Sequence, residues 1–301
     1  KPLFALAISP VFVLGARFID RIGKGLRGAP RDALIADVTP LAMRGRAYGL
    51  RQALDTAGAF IGPLAAIGLM TIFADNMRAV FWVAALPGLV AVLLVIVAVK
   101  GREQRDGTAS ARTPIRWSDL RGLRGDFWAV IGIGVLFTMA RFSEAFLILK
   151  ANASGLPLMF SPLVLVAMNI VYSLGAYPAG ALADARGPRL PLLAGLACLI
   201  GADALLAFDS GLAATFVGIA LWGAHMALTQ GLMSQLVAAR APEALRASAF
   251  GLFNLATGLT MLAASVLAGL LWDAAGPSAT FVAGGAFALA AILLVARRPA
   301  H

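Results

Sequence analysis

Long apolar stretches separated by short polar connections run through most of the chain. An α-helix needs about 20 mainly apolar residues to cross a bilayer, and nine stretches come close to or exceed that length. The pattern therefore predicts an all-α integral membrane protein with about nine transmembrane helices. The predicted spans are Pro10–Ala36, Arg46–Phe73, Ala79–Val99, Phe127–Leu149, Pro157–Ala183, Leu190–Phe208, Leu212–Ala238, Ala247–Trp272 and Ala279–Val295.

The composition agrees with a membrane protein and argues against several other classes. Charged residues make up 13% of the chain, whereas about 25% of the residues in a soluble domain are charged. The net charge of +10 is spread over the connections between spans, so we expect no nucleic-acid partner. One cysteine and two histidines cannot form an internal disulfide or a Cys/His zinc site. No spacing of a nucleophile and a base indicates an enzyme, and we expect neither a metal nor a cofactor.

The placement of lysine and arginine predicts the orientation of the spans, because cytoplasmic loops are enriched in both. Basic residues concentrate in every second connection, which places the C-terminus and the long polar linker on the cytoplasmic side. We therefore expect a multi-pass protein of the inner (plasma) membrane. The basic residues on the predicted cytoplasmic side include Arg44, Arg46, Arg186, Arg189, Arg240, Arg246, Arg297 and Arg298.

One long polar segment, residues 100–125, divides the spans into two groups, and we interpret it as a cytoplasmic linker. Residues 126–298 then form a C-terminal six-helix bundle. Residues 1–99 form the remainder of an N-terminal bundle, from the end of its third helix to its sixth. The apolar run that ends near Ile8 is too short to span a bilayer, so we expect an N-terminally truncated fragment.

An internal repeat relates the two groups of spans. The segment Pro40–Gly49 aligns with Pro242–Gly251, with proline, arginine, alanine, an aromatic residue and glycine at matching positions. Arg44 and Arg246 are the matching arginines, and both precede a span on the predicted cytoplasmic side. Parallel repeats of this kind occur in transporters built from two similar bundles.

Three motifs resemble those of the major facilitator superfamily, and the resemblance covers the whole chain. The segment 180–189, with Asp184 and Arg189, resembles the loop motif of the family, although Pro188 replaces a common basic residue. Leu14-Gly-Ala-Arg17 with Gly23-Lys-Gly25 resembles the motif of the fourth helix. The family relationship implies twelve helices in two pseudo-symmetric bundles, a central cavity and alternating access.

A third motif refines the resemblance toward proton-coupled efflux permeases. The stretch Gly58-Ala-Phe-Ile-Gly62-Pro63 resembles a motif that the fifth helix of proton-driven exporters carries. The glycine pair that usually follows is replaced by Ala65 and Ala66. Small residues at this spacing permit close helix contact, so we expect Gly58, Gly62 and Pro63 to set packing and bending.

Charged residues within the spans are the candidate substrate and proton pathway, because charges are costly in a bilayer and usually face a protein interior or a cavity. Arg17, Asp20 and Arg21 share one side of the first long helix. They form either a charged cavity wall or a neutralised packing network. Asp55, with Arg51 one turn before it, is either a coupling carboxylate or half of a structural ion pair.

The C-terminal half contributes a second set of candidates. Arg141 and Glu144 lie three residues apart, which places them on one face of a helix. They form either a local salt bridge or a site in which Glu144 carries a proton beside Arg141. His225 can carry a proton near neutral pH or serve as a packing residue. Asn169 is a candidate polar contact in the cavity. Asp203 lies among alanines and leucines, and the sequence indicates no partner for it.

These observations predict a secondary active transporter that exports a small molecule in exchange for protons. Without a phosphate-binding loop in the sequence, an ion gradient, H⁺, is the expected energy source. The alternatives are a proton symporter that imports a small organic anion, and a non-transporting membrane receptor or assembly factor. The expected partners are a small-molecule substrate, protons and the lipid bilayer, and we expect a monomer.

Overall fold

The computed structural model describes Leu6, Leu123 and residues 10–73, 76–106, 125–208 and 211–297. Every regular element in these ranges is a helix. Three short 3₁₀ turns, Leu41–Met43, Leu158–Phe160 and Glu243–Leu245, precede the helices that begin at Arg44, Ser161 and Arg246. The helices are α1 Pro10–Val38, α2 Arg44–Ile72, α3 Met77–Asp106, α4 Gly125–Ala140, α5 Ala145–Ala153, α6 Ser161–Arg186, α7 Arg189–Ala207, α8 Gly211–Arg240 and α9 Arg246–Arg297.

Six helical segments of the described chain are long and apolar enough to cross a membrane. The predicted count of nine therefore stays a prediction. One of the six, Glu243–Val295, is 53 residues long, and Gly276 interrupts it with a φ of 80° that is not helical. Glycine accepts a positive φ without strain, and the interruption falls between the two spans predicted at the C-terminal end.

One predicted span, Phe127–Leu149, is wrong as a continuous helix. Helix α4 ends at Ala140 and α5 begins at Ala145, so Arg141 and Glu144 lie in a break rather than on one helix face. The amide of Ala145 donates to the hydroxyl of Ser143 at 3.3 Å, a local bond that competes with a continuous helix. We call residues 141–144 the α4–α5 break.

Contacts divide the chain into two compact units. The first contains Lys1–Arg27 and Ile61–Trp117, and the second contains Gly28–Phe60 and Ser118–His301. The domain boundaries predicted at residues 99 and 125 stay a prediction. Residues 1–5 and 7–9, and residues 107–122 and 124 of the predicted linker, lie outside the described residues.

The second unit contains the larger hydrophobic core. Trp222 of α8 and Phe281 of α9 are completely buried, and both rings pack against Phe142 of the α4–α5 break. Leu196 and Leu199 of α7 complete the centre of this core. The α4–α5 break therefore coincides with the burial of Phe142 among these rings.

The first turns of α2 pack closely on α6 within the second unit. A Cβ atom added at Gly45 would overlap with the backbone of Gly180, and one added at Gly49 would overlap with Ala176. Glycine at these positions lets the two backbones approach each other. Nearby, Tyr48 is fully buried and packs against Phe250, its counterpart in the repeat, at 6.1 Å. These contacts form one end of the second unit, which we call the clamped end.

Candidate functional site

A cavity of about 350 Å³ lies within the second unit, between the end of α1 and helices α2, α4, α8 and α9. Its wall mixes charged, amide, hydroxyl and aromatic groups. Cavities that bind small molecules usually measure about 300–1,000 Å³ and carry a few polar groups that orient the ligand. The polar side chains that line it are Arg31, Asp32, Arg51, Gln52, Thr138, Arg141, His225, Thr229, Gln230, Ser234, Asn254 and Thr257.

Two arginines and two carboxylates form a network at the α1–α2 side of the cavity. Asp32 is only 6% exposed, and its carboxylate lies 3.3 Å from Arg31 and 3.7 Å from Arg51. Asp55 lies 3.0 Å from Arg51 and 3.7 Å from Arg31. The four formal charges cancel, which lowers the cost of burying Asp32. The Arg51–Asp55 pair expected from their spacing is therefore present, within a larger network.

The α4–α5 break brings a third arginine to the cavity wall. The guanidinium group of Arg141 lies 3.9 Å from the carboxylate of Glu144, and Arg141 is the more buried of the two. An ion pair of this length is weak, so Arg141 keeps charge available for a ligand in the cavity. Glu144 does not line the cavity.

His225 of α8 also lines the cavity and is almost completely buried, with 1% of its surface exposed. Its Nδ1 lies 2.9 Å from the carbonyl oxygen of Gly195. Because a carbonyl oxygen only accepts, Nδ1 carries the hydrogen and donates it, which leaves Nε2 as the acceptor of the neutral ring. The ring also stacks on Phe137 at 6.4 Å. These contacts agree with a packing role, and a proton-carrying role stays a prediction.

Several sequence candidates are not brought to this cavity. The side chains of Arg17, Asp20, Arg21 and Pro63 lie outside the described part of the chain, although their backbone is helical. Asn169 of α6 is not part of the lining.

The packing expected at the third motif can be compared with the structure at two positions. A Cβ atom added at Gly58 or at Gly62 meets no described atom of its own unit within 4 Å. Neither glycine is therefore in close contact with a neighbouring helix within its unit. The roles of Gly58, Gly62 and Pro63 in transport stay predictions.

Asp184 closes the clamped end by binding the start of α2. Its carboxylate accepts hydrogen bonds from the amides of Gly45, at 2.7 Å, and Arg46, at 2.9 Å. The first amides of a helix lack intrahelical partners and carry partial positive charge, so a carboxylate stabilises this end. The amide of Gln235 on α8 donates to the same carboxylate at 3.3 Å.

The two arginines of the repeat converge on the last turn of α1. Arg44 donates to the carbonyl oxygen of Ala36 at 2.9 Å, and Arg246 forms an ion pair with Asp37. Both arginines are at least 90% buried. A cation near a helix C-terminus is favoured by the exposed carbonyls and the helix dipole. Arg189, the remaining basic residue of the predicted motifs, lies exposed at the start of α7.

Several cavity residues had little to distinguish them in the sequence. Asp32 stood out only as part of a charged helix, and Gln52, Thr138 and Thr229 are ordinary polar residues within apolar runs. Their grouping depends on helices far apart in sequence. Two of them could have been found by their spacing from candidates that the sequence had already identified. Thr138 precedes Arg141 by three positions and Thr229 follows His225 by four, so each lies one helical turn from a candidate.

Comparison with known proteins relates this chain to membrane transporters. The sequence model of the Major Facilitator Superfamily matches residues 2–202 and 146–301. An uncharacterized MFS-type transporter of Methanocaldococcus jannaschii is 28% identical over 283 residues, which covers 92% of this chain and 69% of the relative. An uncharacterized protein of Mycobacterium tuberculosis strain H37Rv is 26% identical over 283 residues. The aligned region covers 90% of this chain and 67% of that protein.

Two solved structures share the fold. The human organic anion transporter MFSD10 superimposes with a TM-score of 0.69 at 19% identity, covering 97% of this chain and 73% of that protein. The transporter FucP, in its outward conformation, superimposes with a TM-score of 0.76 at 16% identity. The superposition covers 99% of this chain and 80% of FucP. Family and fold indicate a transporter rather than an enzyme. This chain therefore belongs to the Major Facilitator Superfamily of multi-pass membrane transporters.

Proposed function

We propose that this protein is a secondary active transporter that exchanges protons for an exported small molecule, which it binds in the cavity of the second unit. The observation that carries the proposal is the polar and charged wall of a 350 Å³ cavity in an otherwise apolar helical protein. Ionisable groups at such positions are costly and usually serve a ligand or ion pathway. The size of the cavity suits a small molecule.

The clamped end supports a mechanism of alternating access. Asp184, Arg44 and Arg246 each make their contacts through one to three charge-assisted bonds. Bonds of this kind are worth about 1.5–3 kcal/mol each, so a ligand that binds the two states differently can shift their populations. In this proposal, the clamped end is the closed cytoplasmic gate, and it opens when these bonds break.

The sequence motifs support the direction of transport and the coupling ion that we propose. The stretch Gly58–Pro63 favours export, and Asp20, Asp55, Glu144 and His225 are the carriers considered for protons. Of these, Asp55 is already neutralised by two arginines. Glu144 lies 3.9 Å from a single arginine, Arg141. Its negative charge is therefore compensated less than that of Asp55.

A second function, proton-coupled import of an organic anion, is favoured by one observation. Arg31, Arg51 and Arg141 line the cavity, whereas Asp32 is the only carboxylate in the described lining. An anionic group could bind there by bidentate hydrogen bonds from a guanidinium group. The structural neighbour MFSD10 is an organic anion transporter.

Transport by the purified full-length protein in liposomes tests both functions. The liposomes enclose a pH-sensitive dye, and the probes are organic anions (benzoate, citrate) and lipophilic organic cations (ethidium, tetraphenylphosphonium) under an imposed pH gradient. Exchange predicts that protons and probe move in opposite directions, and symport predicts that an anion and protons move together. Proton flux that no probe changes, with no probe uptake, would contradict both.

A further inference from the structure

Asp203 on α7 is a buried carboxylate outside the cavity. Only 2% of its surface is exposed, and neither of its side-chain oxygens has a protein hydrogen-bond partner in the described structure. Asp203 does not line the cavity described above. A buried polar group without a partner is rare in folded proteins and requires an explanation.

The neighbours of Asp203 come from α9 and from the end of α4. Around the position of a Cβ atom added at Gly284, the Asp203 Oδ2 atom lies at 3.0 Å, the Phe142 ring at 3.1 Å and the Ala140 carbonyl oxygen at 3.2 Å. A Cβ atom added at Gly285 would lie 3.7 Å from the Cβ of Asp203. Two consecutive glycines therefore leave the space that the carboxyl group occupies.

The charged and titratable groups of the packed elements do not neutralise Asp203. In the α4–α5 break, Arg141 pairs with Glu144. On α8, His225 bonds to Gly195, which lies eight residues before Asp203 on α7. On α9, Asp273 lies eleven residues before Gly284. None of these groups forms an ion pair or a hydrogen bond with Asp203 among the described residues.

These surroundings oppose a negative charge. An isolated ionised carboxylate in an apolar interior costs many kcal/mol, and such groups usually become neutral instead. The Ala140 carbonyl also belongs to the C-terminal end of α4, where the partial charge of a helix is negative. A metal cation is a poor alternative, because hard cations take about six oxygen ligands and Gly284, Gly285 and Phe142 offer none from side chains. A protonated carboxyl group carries no charge and therefore fits the site.

The α4–α5 break links Asp203 to the cavity. Arg141 lines the cavity, and the next residue, Phe142, packs beside the Asp203 site. A non-helical segment changes its backbone angles more easily than a continuous helix. A movement of Arg141 upon ligand binding would therefore displace Phe142 and the end of α4, and it would change the access of water to Asp203.

We propose that Asp203 is the proton-binding site of this transporter, and that the α4–α5 break couples its protonation to occupancy of the cavity. The carboxylate binds one proton to become a carboxylic acid in the conformation described here. The proton returns to water when the break moves and the site opens. This inference rests on the proposed function for its role in transport, whereas proton binding by itself does not depend on a substrate.

Infrared spectroscopy of the purified protein in lipid bilayers tests proton binding without a substrate. We expect a carbonyl-stretch band from a protonated carboxyl group at neutral pH, and we expect Asp203→Asn to remove it. The amide keeps the shape of the neutral acid, so this variant should fold. Gly284→Ala should shift the band, because the new methyl group lies 3.0 Å from Oδ2, whereas Gly285→Ala should not. A spectrum that Asp203→Asn leaves unchanged, or a band that Na⁺ but not K⁺ abolishes at constant pH, would overturn the proposal.

Transport by the same variant tests the coupling. In liposomes, exchange of labelled for unlabelled probe shows whether Asp203→Asn still carries the probe, because this exchange moves no net protons. We expect Asp203→Asn to reduce the uptake that a pH gradient drives by at least tenfold. Equal losses of this exchange and of gradient-driven uptake would overturn the coupling role. Gradient-driven uptake equal to that of the wild type would overturn the coupling role. If the wild type itself transports no probe, the proposed function fails, while the infrared result still decides whether Asp203 binds a proton.

Discussion

The side-chain carboxylate of Asp184 lies 2.7 Å from the backbone amide of Gly45, although 139 residues separate the two. The second oxygen of the carboxylate accepts from the next amide, that of Arg46. Asp184, at the C-terminal end of α6, thus stabilises the N-terminal end of α2 as an N-cap residue does within one helix. Because the cap comes from a different helix, α2 and α6 lose it when they separate.

Asp184→Asn should favour opening of the clamped end. Asparagine keeps one acceptor oxygen but loses the charge, which weakens the cap by about 1–2 kcal/mol. We therefore expect a roughly tenfold increase in the open population. The measurement is the labelling rate of Ser234→Cys, a cavity position, by a membrane-impermeant maleimide in a Cys198→Ser background.

Asp126→Asn is the matched control for Asp184→Asn. The Asp126 carboxylate is 69% exposed and lies 3.7 Å from Arg240, and it is not part of the clamped end. We expect its labelling rate to equal that of the parent protein. Equal rates for the Asp184 and Asp126 variants would show that the cap does not hold the gate closed.

Gly45→Ala and Gly180→Ala should each lower the free energy of unfolding. The added methyl group would overlap with backbone atoms of the facing helix, and overpacking of this kind costs about 1–3 kcal/mol. Gly58→Ala on the same helix α2 is the control, because its methyl group meets no described atom of its unit within 4 Å. Alanine favours a helix interior over glycine by about 1 kcal/mol, so this variant should be as stable or more stable.

Unfolding in mixed micelles with increasing sodium dodecyl sulfate fraction measures the glycine series. The transition midpoint of Gly58→Ala should be equal to or higher than that of the wild type. The midpoints of Gly45→Ala and Gly180→Ala should both be lower than that of the wild type. A midpoint for Gly45→Ala at or above that of the wild type would contradict the close packing of α2 on α6.

Asp37 and Arg246 should show a measurable coupling energy. Asp37→Asn and Arg246→Gln, singly and together, form a double-mutant cycle that isolates the pair. Because the Asp37 side chain is 37% exposed, solvent screens the attraction, and we expect about 1 kcal/mol. Added salt should reduce this value. The pair Asp126–Arg240, with both side chains more exposed, should give a coupling energy close to zero, and equal values for the two pairs would refute the prediction.

Arg141→Gln should change the apparent affinity for a charged substrate in a direction that depends on its sign. For an anion, loss of one charge-assisted bond of about 1.5–3 kcal/mol should raise KM roughly tenfold to hundredfold. For a cation, KM should stay the same or fall, because a repulsive charge is removed. The liposome assay gives KM, and Arg240→Gln, outside the cavity lining, serves as the control. A KM for every transported probe equal to that of the wild type would remove Arg141 from the binding site.

The helices were largely predictable, because each depends on a local run of apolar residues. Helix α7 spans Arg189–Ala207, within one residue of the predicted span at either end. The break after Ala140 was not predictable in the same way. It accompanies the burial of Phe142 against Trp222 and Phe281, residues that lie 80 or more positions away in the chain.

The candidate site was predictable only where its contacts are local. The spacing of four residues between Arg51 and Asp55 predicts their ion pair, and the structure contains it. Spacing could not show that Arg31 and Asp32 of another helix join the same network. Nor could it show that Asp203 has no hydrogen-bond partner within the described part of the chain, since that depends on which residues of α4 and α9 face it.

The membership of this chain in a transporter superfamily, its helical class and its repeated arginine motif could all be inferred from the sequence. Hydrophobic length, charge placement and repeats can be recognised without any knowledge of contacts. The contacts of the individual residues came from the folded structure. Asp184 binds the start of α2, Arg44 and Arg246 bind the end of α1, and Asp203 has no hydrogen-bond partner among the described residues. These contacts could not be inferred, because the energies of buried charges depend on neighbours from distant helices, which local spacing does not encode.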